Sequence, residues 1–214
     1  MMLAKGYGDT SIDEICNAAG VTKGGLFHHF ASKEELAKAA LRQFYLMTGG
    51  QVLGAPFPDD IDPLDRVLGR IDIVIAMARA PNRPGSCLIG NLTQEVSHTH
   101  PELRAVCDEL FSMWVTGFQR ELDEAKAKHA PRAAWSTKSL AEHLLATIQG
   151  SLLLAKSSQD RSIVEKNLLH YRQYLENLFG IKKGGQGRTN TRTRLTDAVK
   201  VRKPYRAHHK GGDL

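Results

Sequence analysis

Residues 10 to 33 limit the possible folds of this chain more than any other segment. Two S-x-x-E capping boxes mark this segment: Ser11 with Glu14 lies inside it, and Ser32 with Glu35 overlaps its end. In such a box the hydroxyl accepts a hydrogen bond from a free backbone N–H group, and the carboxylate accepts one in return. Each box predicts the start of a helix.

A third helix start lies between the two boxes. Gly20 suits the left-handed position that ends a helix, and Thr22 can cap the next helix. The connection is therefore about three residues long, the length that a helix-turn-helix needs. Apolar residues at i, i+3 and i+4 spacing give the helices inward faces; they are Ile12, Ile15, Ala19, Val21, Leu26 and Phe30. Four residues lie on the outer face of the second helix: Lys23, Gly24, Phe27 and His28. This pattern makes double-stranded DNA the first partner to consider.

Five short segments carry a resemblance to a known family. They are Gly6-Tyr7, Thr10-Ser11-Ile12, and residues 19–24, 27–30 and 32–36. In this order they resemble the DNA-binding domain of the tetracycline-repressor (TetR) family. The resemblance implies an all-α fold and a repressor that a small molecule releases from a palindromic operator.

The resemblance also implies which residues contact DNA. Thr10 and Ser11 are expected on the DNA backbone, and Lys33 on a phosphate. The second helix is expected to enter the major groove and to present Thr22, Lys23, Gly25, Phe27 and His28. Two positions depart from the family pattern. Phe27 replaces a tyrosine whose hydroxyl meets a phosphate, and Gly25 replaces a frequent Thr or Ser.

The start of the chain is a further departure. Family members carry a whole helix ahead of the Gly6-Tyr7 corner, whereas only residues 1–5 precede it here. We therefore expect a truncated first helix and partial exposure of Ile15, Leu26 and Phe30. One alternative function follows: a helical dimer from a truncated regulator whose DNA binding is impaired.

The positive charge is concentrated at the end of the chain. The net charge is +6, but residues 181–214 hold ten Lys or Arg and two Asp, whereas residues 1–180 hold nineteen basic and twenty-one acidic groups. The sequence thus predicts a helix-turn-helix domain over 1–46, a helical effector-binding and dimerisation domain over 47–180, and a basic disordered tail over 181–214. The tail is interpreted as a solvated extension, with a nonspecific DNA arm as the alternative.

Composition favours an intracellular protein. The sequence has no apolar run long enough for a membrane helix and no signal peptide, and its three cysteines form no paired spacing. We therefore expect a cytoplasmic protein with no membrane partner, no cofactor and no metal.

An enzyme is the main competing class, with His98, His100 and Cys107 as a weak metal-ligand pattern. No phosphate loop, nucleophile elbow or catalytic acid pair supports it.

The body shows only helical periodicity. It predicts helices from Ser32 to about Thr48, from Pro63 to Ala80, from Ser86 to Ser97 and from Pro101 to about His129, with a break at Gly49-Gly50. Two further capping boxes are Ser139 with Glu142 and Ser162 with Glu165.

The last two helices are predicted to form a homodimer, as in the TetR family. Their apolar stripes are Leu144, Ile148, Ser151, Leu152 and Ala155, then Val164, Leu168, Tyr171, Leu175 and Leu178. Simple core packing is the alternative role of these stripes.

The family also implies an effector cavity in the central helices. Its expected lining is Met77, Cys87, Leu88, Asn91, Met113, Trp114 and Phe118. The segment around Cys87-Leu88 resembles a branch of the family in which some members sense electrophiles through this cysteine. A helix start would lower the thiol pKa and favour this role, whereas a buried, unreactive cysteine is the commoner case. Cys16 and Cys107 are expected to pack on helix faces.

Overall fold

The computed structural model describes residues 1–81, 83 and 85–181, and the basic tail lies outside the described residues from residue 182 onward. All regular structure within the described part is α-helical, which confirms the expected fold class. The helices are α1 (Met2–Lys5), α2 (Ile12–Ala19), α3 (Lys23–His29), α4 (Lys33–Met47), α5 (Gly49–Leu53), α6 (Pro63–Arg79), α7 (Leu88–Val96), α8 (Pro101–His129), α9 (Thr137–Ser158) and α10 (Ser162–Leu178).

Side-chain caps start the helices of the motif where the sequence places them. The hydroxyl of Ser11 accepts a hydrogen bond from the Glu14 N–H, and the Glu14 carboxylate accepts one from the Ser11 N–H. This capping box is complete. The second box is only half formed, because Glu35 donates its N–H to the Ser32 hydroxyl while its carboxylate pairs with Lys38.

The turn between α2 and α3 has the predicted geometry. Gly20 ends α2 in the left-handed conformation, with φ of 67°, and the Thr22 hydroxyl accepts a hydrogen bond from the Gly25 N–H at 3.1 Å. The inward faces of α2 and α3 meet and bury Cys16 and Leu26. The expected partial exposure of Leu26 is therefore wrong.

Helices α6, α8, α9 and α10 form the body, with α4 and α7 packed against α8. The bounds of α6 and α8 follow the predicted apolar periodicity closely. The predicted end of the helix near Thr48 is confirmed, because α4 ends at Met47 and Thr48 leaves the helical conformation. The break is short, since Gly49 and Gly50 already begin α5. A Cβ at Gly49 would lie 2.9 Å from Cδ1 of Trp114, so this glycine allows α5 to pack closely against α8.

The two predicted capping boxes of the last helices are also wrong. Helix α9 begins after Ser136, whose hydroxyl accepts from the Ser139 N–H, and α10 begins directly at Ser162. The carboxylates of the predicted boxes serve other partners, since Glu142 pairs with Lys138 and Glu165 with Arg79.

The apolar stripes of α9 and α10 pack inside the chain. Leu144, Leu168 and Leu175 are at most 1% exposed. These stripes hold the two helices to each other and to the body, as expected of a core. The buried residues of these stripes therefore cannot also supply the surface of a dimer. The side of the pair that remains exposed carries other residues: Ala146, Gly150, Leu153, Leu154, His170 and Tyr174.

A buried arginine fixes the segment that follows α5. Arg70 is 5% exposed, and its guanidinium donates hydrogen bonds to the carbonyl oxygens of Val52 (2.7 Å) and Ala55 (2.6 Å). The same guanidinium pairs with Glu121 at 2.8 Å. Because a buried charge is costly unless it is fully paired, this set of contacts holds α5 firmly against the body.

Candidate nucleic-acid interface and effector cavity

The outer face of α3 is the candidate DNA surface. Thr22, Lys23, Gly25, Phe27 and His28 are all exposed on or directly before this helix. The Thr22 cap sets the first turn, and a Cβ at Gly25 would lie 3.3 Å from the Thr22 hydroxyl, which is a tight contact. Because glycine has no Cβ, Gly25 leaves the Thr22 cap undisturbed. Phe27 keeps 46% of its surface exposed, so an aromatic side chain stands outward where the family has tyrosine.

Lys23 is neutralised by a neighbour that the sequence analysis did not single out. Its ammonium lies 2.8 Å from a carboxylate oxygen of Asp13 on α2, and the two side chains are 58% and 66% exposed. Hydrogen bonding to Asp13 raises the pKa of Lys23, so it stays charged. An ion pair this exposed contributes little to stability, so Lys23 can exchange Asp13 for a phosphate at low cost. The sequence does show an acidic residue, Asp13, in the first turn of α2, and this residue was the available signal for the pairing.

Three predicted contact residues have structural partners within the chain. Thr10 is fully buried and donates its hydroxyl to the Gly6 carbonyl at 2.7 Å, so its side chain does not belong to the exposed face. Ser11 is exposed, but its hydroxyl is used by the capping box with Glu14. Lys33 donates to the Gly8 carbonyl at 3.3 Å and lies over the Tyr7 ring. Its ammonium retains hydrogens that can reach a phosphate.

An apolar cavity of about 150 Å³ lies where α4, α5, α6, α8 and α9 converge. Of the predicted lining, Met77, Cys87 and Trp114 face it. The sequence analysis missed most of the other walls, which include Phe44, Tyr45, Val52, Phe111, Leu145, Ile148 and Leu152. These residues look like ordinary core in the sequence, and only the packing of five helices brings them to one space.

Four predicted lining residues lie elsewhere. Phe118 is fully buried and stacks on Trp114 with ring centroids 5.6 Å apart, and Leu88 is buried without facing the cavity. Met113 points away from the core and is 48% exposed. Asn91 lines a neighbouring cavity of about 330 Å³ between α7, α9 and residues 3–6.

Cys87 forms the wall between the two cavities, directly before α7. Burial raises the pKa of its thiol, and hydrogen bonds with the Gly90 backbone and the Gln149 side chain only partly offset that rise. This environment matches the buried cysteine, the commoner case, and not the lowered thiol pKa that the sensor role would need. The thiol is mainly protonated at neutral pH, which does not favour a reactive sensor.

This environment predicts slow chemistry at Cys87. We expect iodoacetamide to modify Cys87 at pH 7 more slowly than an unstructured cysteine peptide, because less thiolate is present when the pKa is raised. The rate should climb steadily as the pH rises toward 9. Peptide mass spectrometry measures the rate, and Cys87→Ser identifies the modified site. Modification at pH 7 faster than that of the peptide would contradict the expectation.

The competing enzyme interpretation gains no support from the described residues. Among the described residues, no group of three or more His, Cys, Asp or Glu side chains is placed to hold a metal ion. His100 instead packs its ring edge-on against Tyr7, with centroids 5.0 Å apart. Likewise, none of the helices in residues 1–81, 83 and 85–181 has the length and apolar character needed to cross a bilayer.

Two family models match separate parts of the chain. A family model described as "Bacterial regulatory proteins, tetR family" matches residues 1–40, and one described as "Tetracyclin repressor-like, C-terminal domain" matches residues 63–171. The chain belongs to the tetracycline-repressor family. The TetR family is a family of DNA-binding transcriptional regulators, and the matches support a DNA-binding regulator for this chain.

Individual TetR-family relatives match most of the chain. It is 26% identical over 168 residues to the HTH-type transcriptional repressor DhaR of Mycobacterium sp. (strain GP1), covering 78% of this chain and 83% of that protein. It is 33% identical over 156 residues to the transcriptional regulator AcuR of Cereibacter sphaeroides, covering 71% and 69%. A solved TetR transcriptional regulator from Chloroflexus aurantiacus superimposes with a TM-score of 0.71 at 26% identity, covering 81% of this chain and 87% of that one.

Proposed function

We propose that this TetR-family protein is a ligand-responsive repressor in the bacterial cytoplasm. It binds a palindromic operator as a homodimer, and a small molecule in the apolar cavity releases it. The main support for the proposal is that helix α4 connects the helix-turn-helix to the cavity. Three residues separate the end of α3 from the start of this helix, and near its other end Phe44 and Tyr45 line the cavity.

Helix α4 gives the cavity a mechanical path to α3. A ligand that fills the cavity must displace the side chains of α4 or its packing partners, and a helix moves as a rigid rod. The two α3 helices of a dimer would then no longer match two half-sites one helical turn apart. A coupling free energy of about 1 to 3 kcal/mol suffices to change operator affinity five- to 150-fold.

The exposed side of α9 and α10 supports the homodimer. Leu153 and Leu154 are more than half exposed on α9, and Tyr174 is 42% exposed on α10. A Cβ at Gly150 would meet nothing within 4 Å in the single chain, so this small residue leaves room for a close helix approach. We propose that two copies bury this face, here called the α9/α10 face, around a two-fold axis.

Lys23 provides a direct test of the DNA surface. Lys23→Ala should weaken operator binding and lower the slope of log affinity against log salt by about 1 per protomer, because one phosphate contact is lost. Asp13→Asn should have the opposite effect, since it frees Lys23 from its ion pair. Fluorescence anisotropy with labelled operator DNA at several salt concentrations measures both.

The matched control for Lys23 is Lys128. Both lysines are 58% exposed and paired with an aspartate, but Lys128 lies at the far end of α8 and pairs with Asp62. Lys128→Ala should leave the affinity and the salt slope unchanged. Equal effects of the two lysine variants would show that α3 does not contact DNA as proposed.

A further inference from the structure

Helix α7 holds the segment directly ahead of the helix-turn-helix. The Glu95 carboxylate, near the end of α7, accepts hydrogen bonds from the backbone N–H groups of Tyr7 at 2.7 Å and Gly8 at 2.6 Å. These bonds link positions 87 and 88 residues apart in the sequence, and they join the DNA-binding unit (α1 to α4) to the body. We call this set of contacts the Glu95 clasp.

Two glycines make the clasp possible. A Cβ at Gly6 would lie 2.7 Å from one Glu95 carboxylate oxygen, and a Cβ at Gly8 would lie 3.2 Å from the other. Gly6 also has φ of 94°, a conformation that residues with a side chain rarely adopt. The Gly-Tyr-Gly sequence therefore allows the main chain to approach the carboxylate at hydrogen-bonding distance.

Other contacts fix the same segment of the chain, residues 3–8. Asn91, one turn earlier on α7, donates its amide to the Leu3 carbonyl at 3.3 Å. His100 packs against the Tyr7 ring, and Lys33 donates to the Gly8 carbonyl. Charged acceptors form stronger hydrogen bonds than neutral ones, so the carboxylate provides the strongest of these links.

We propose that Glu95 is a positioning residue for operator binding. It touches none of the residues on the exposed face of α3, and it acts by fixing the main chain from which α2 and α3 start. Helix α7 begins at the cavity, where Cys87 and Ile89 line the wall, and Glu95 lies less than two turns further along. An occupied cavity that shifts α7 would therefore also shift the clasp. The inference rests on the proposed DNA-binding function.

The Glu95→Gln variant distinguishes a positioning role of Glu95 from a simple effect of its negative charge on DNA binding. The variant removes one negative charge, which by itself favours binding to DNA. The glutamine amide can accept only one of the two backbone hydrogen bonds, because its NH₂ group is a donor. Positioning therefore predicts weaker binding, of the order of tenfold, for the loss of one charge-assisted hydrogen bond. The salt slope should stay the same, since no phosphate contact is removed.

Two further variants keep the test independent of folding and of charge. Glu124→Gln removes an equal charge from an exposed ion pair within the body, between α8 and Arg66 of α6, and its binding should be unchanged or slightly tighter. Gly6→Ala disrupts the clasp from the other side while keeping the Glu95 charge, and it should weaken binding as Glu95→Gln does. Melting temperatures confirm that each variant is folded.

The measurements are operator affinity and amide hydrogen exchange at Tyr7 and Gly8. The clasp predicts faster exchange at these amides in Glu95→Gln, but not in Glu124→Gln, together with the loss of affinity. Unchanged exchange, or a Glu95→Gln variant that binds as tightly as the wild type, would overturn the inference. A wild-type protein that binds no operator would instead contradict the proposed function, and the exchange measurement would still test the clasp.

Discussion

Leu154→Arg should turn the homodimer into a monomer. Leu154 is 54% exposed in the single chain and lies in the α9/α10 face. In a two-fold dimer the change places two unpaired charges in a dry contact, which costs several kcal/mol. We therefore expect dimer affinity to fall on the order of 100-fold or more. Operator affinity should fall with it, because a monomer contacts one half-site instead of two.

Light scattering at micromolar concentration and operator titration together measure this change. The matched control is Leu46→Arg, which puts the same charge at a leucine that is 61% exposed on α4, outside the α9/α10 face. The control should remain dimeric. If Leu154→Arg remains dimeric while Leu46→Arg dissociates, the proposed dimer face is wrong.

Phe118→Ala should lower the free energy of unfolding by about 3 to 5 kcal/mol. The Phe118 side chain is fully buried in α8 and stacks on Trp114, and none of it borders the cavity. Truncation removes buried apolar surface and leaves a void that the surrounding helices cannot fill. Urea unfolding at a fixed protein concentration measures the loss, because the stability of a dimer depends on concentration.

Met113→Ala is the control for this experiment. Met113 lies on the same helix, but it is 48% exposed, and its truncation should change stability by less than about 0.5 kcal/mol. The sequence placed both residues in the effector cavity, whereas the structure assigns one to the core and one to the surface. A larger loss of stability for Met113→Ala than for Phe118→Ala would contradict that assignment.

The helix-turn-helix could be predicted from the sequence because its signals are local. Ser11, Gly20 and Thr22 act on backbone groups within four residues, so their roles can be inferred without tertiary structure. The capping boxes at Ser139 and Ser162 failed for a related reason. The same S-x-x-E pattern arises inside a helix, and there Glu142 and Glu165 pair with Lys138 and Arg79 instead.

The sites beyond the motif could not be predicted because they depend on tertiary packing. Periodicity shows that a residue faces inward, but not whether it faces a cavity, as Trp114 does, or solid core, as Phe118 does. The predicted dimer stripes failed in the same way, since one chain already buries most of their residues. The Glu95 clasp joins residues from distant parts of the chain, and only the Gly6-Tyr7-Gly8 sequence gave a local sign of it.

The most direct test of the central claim is a footprint of the purified protein on the intergenic DNA next to its own gene. We expect two protected half-sites, related by a two-fold axis and centred about one helical turn or a multiple of it apart. Lys23→Ala should weaken protection of both half-sites equally. Protection of one unpaired site, or binding no tighter than to unrelated DNA at the same salt concentration, would contradict a dimeric, operator-specific repressor.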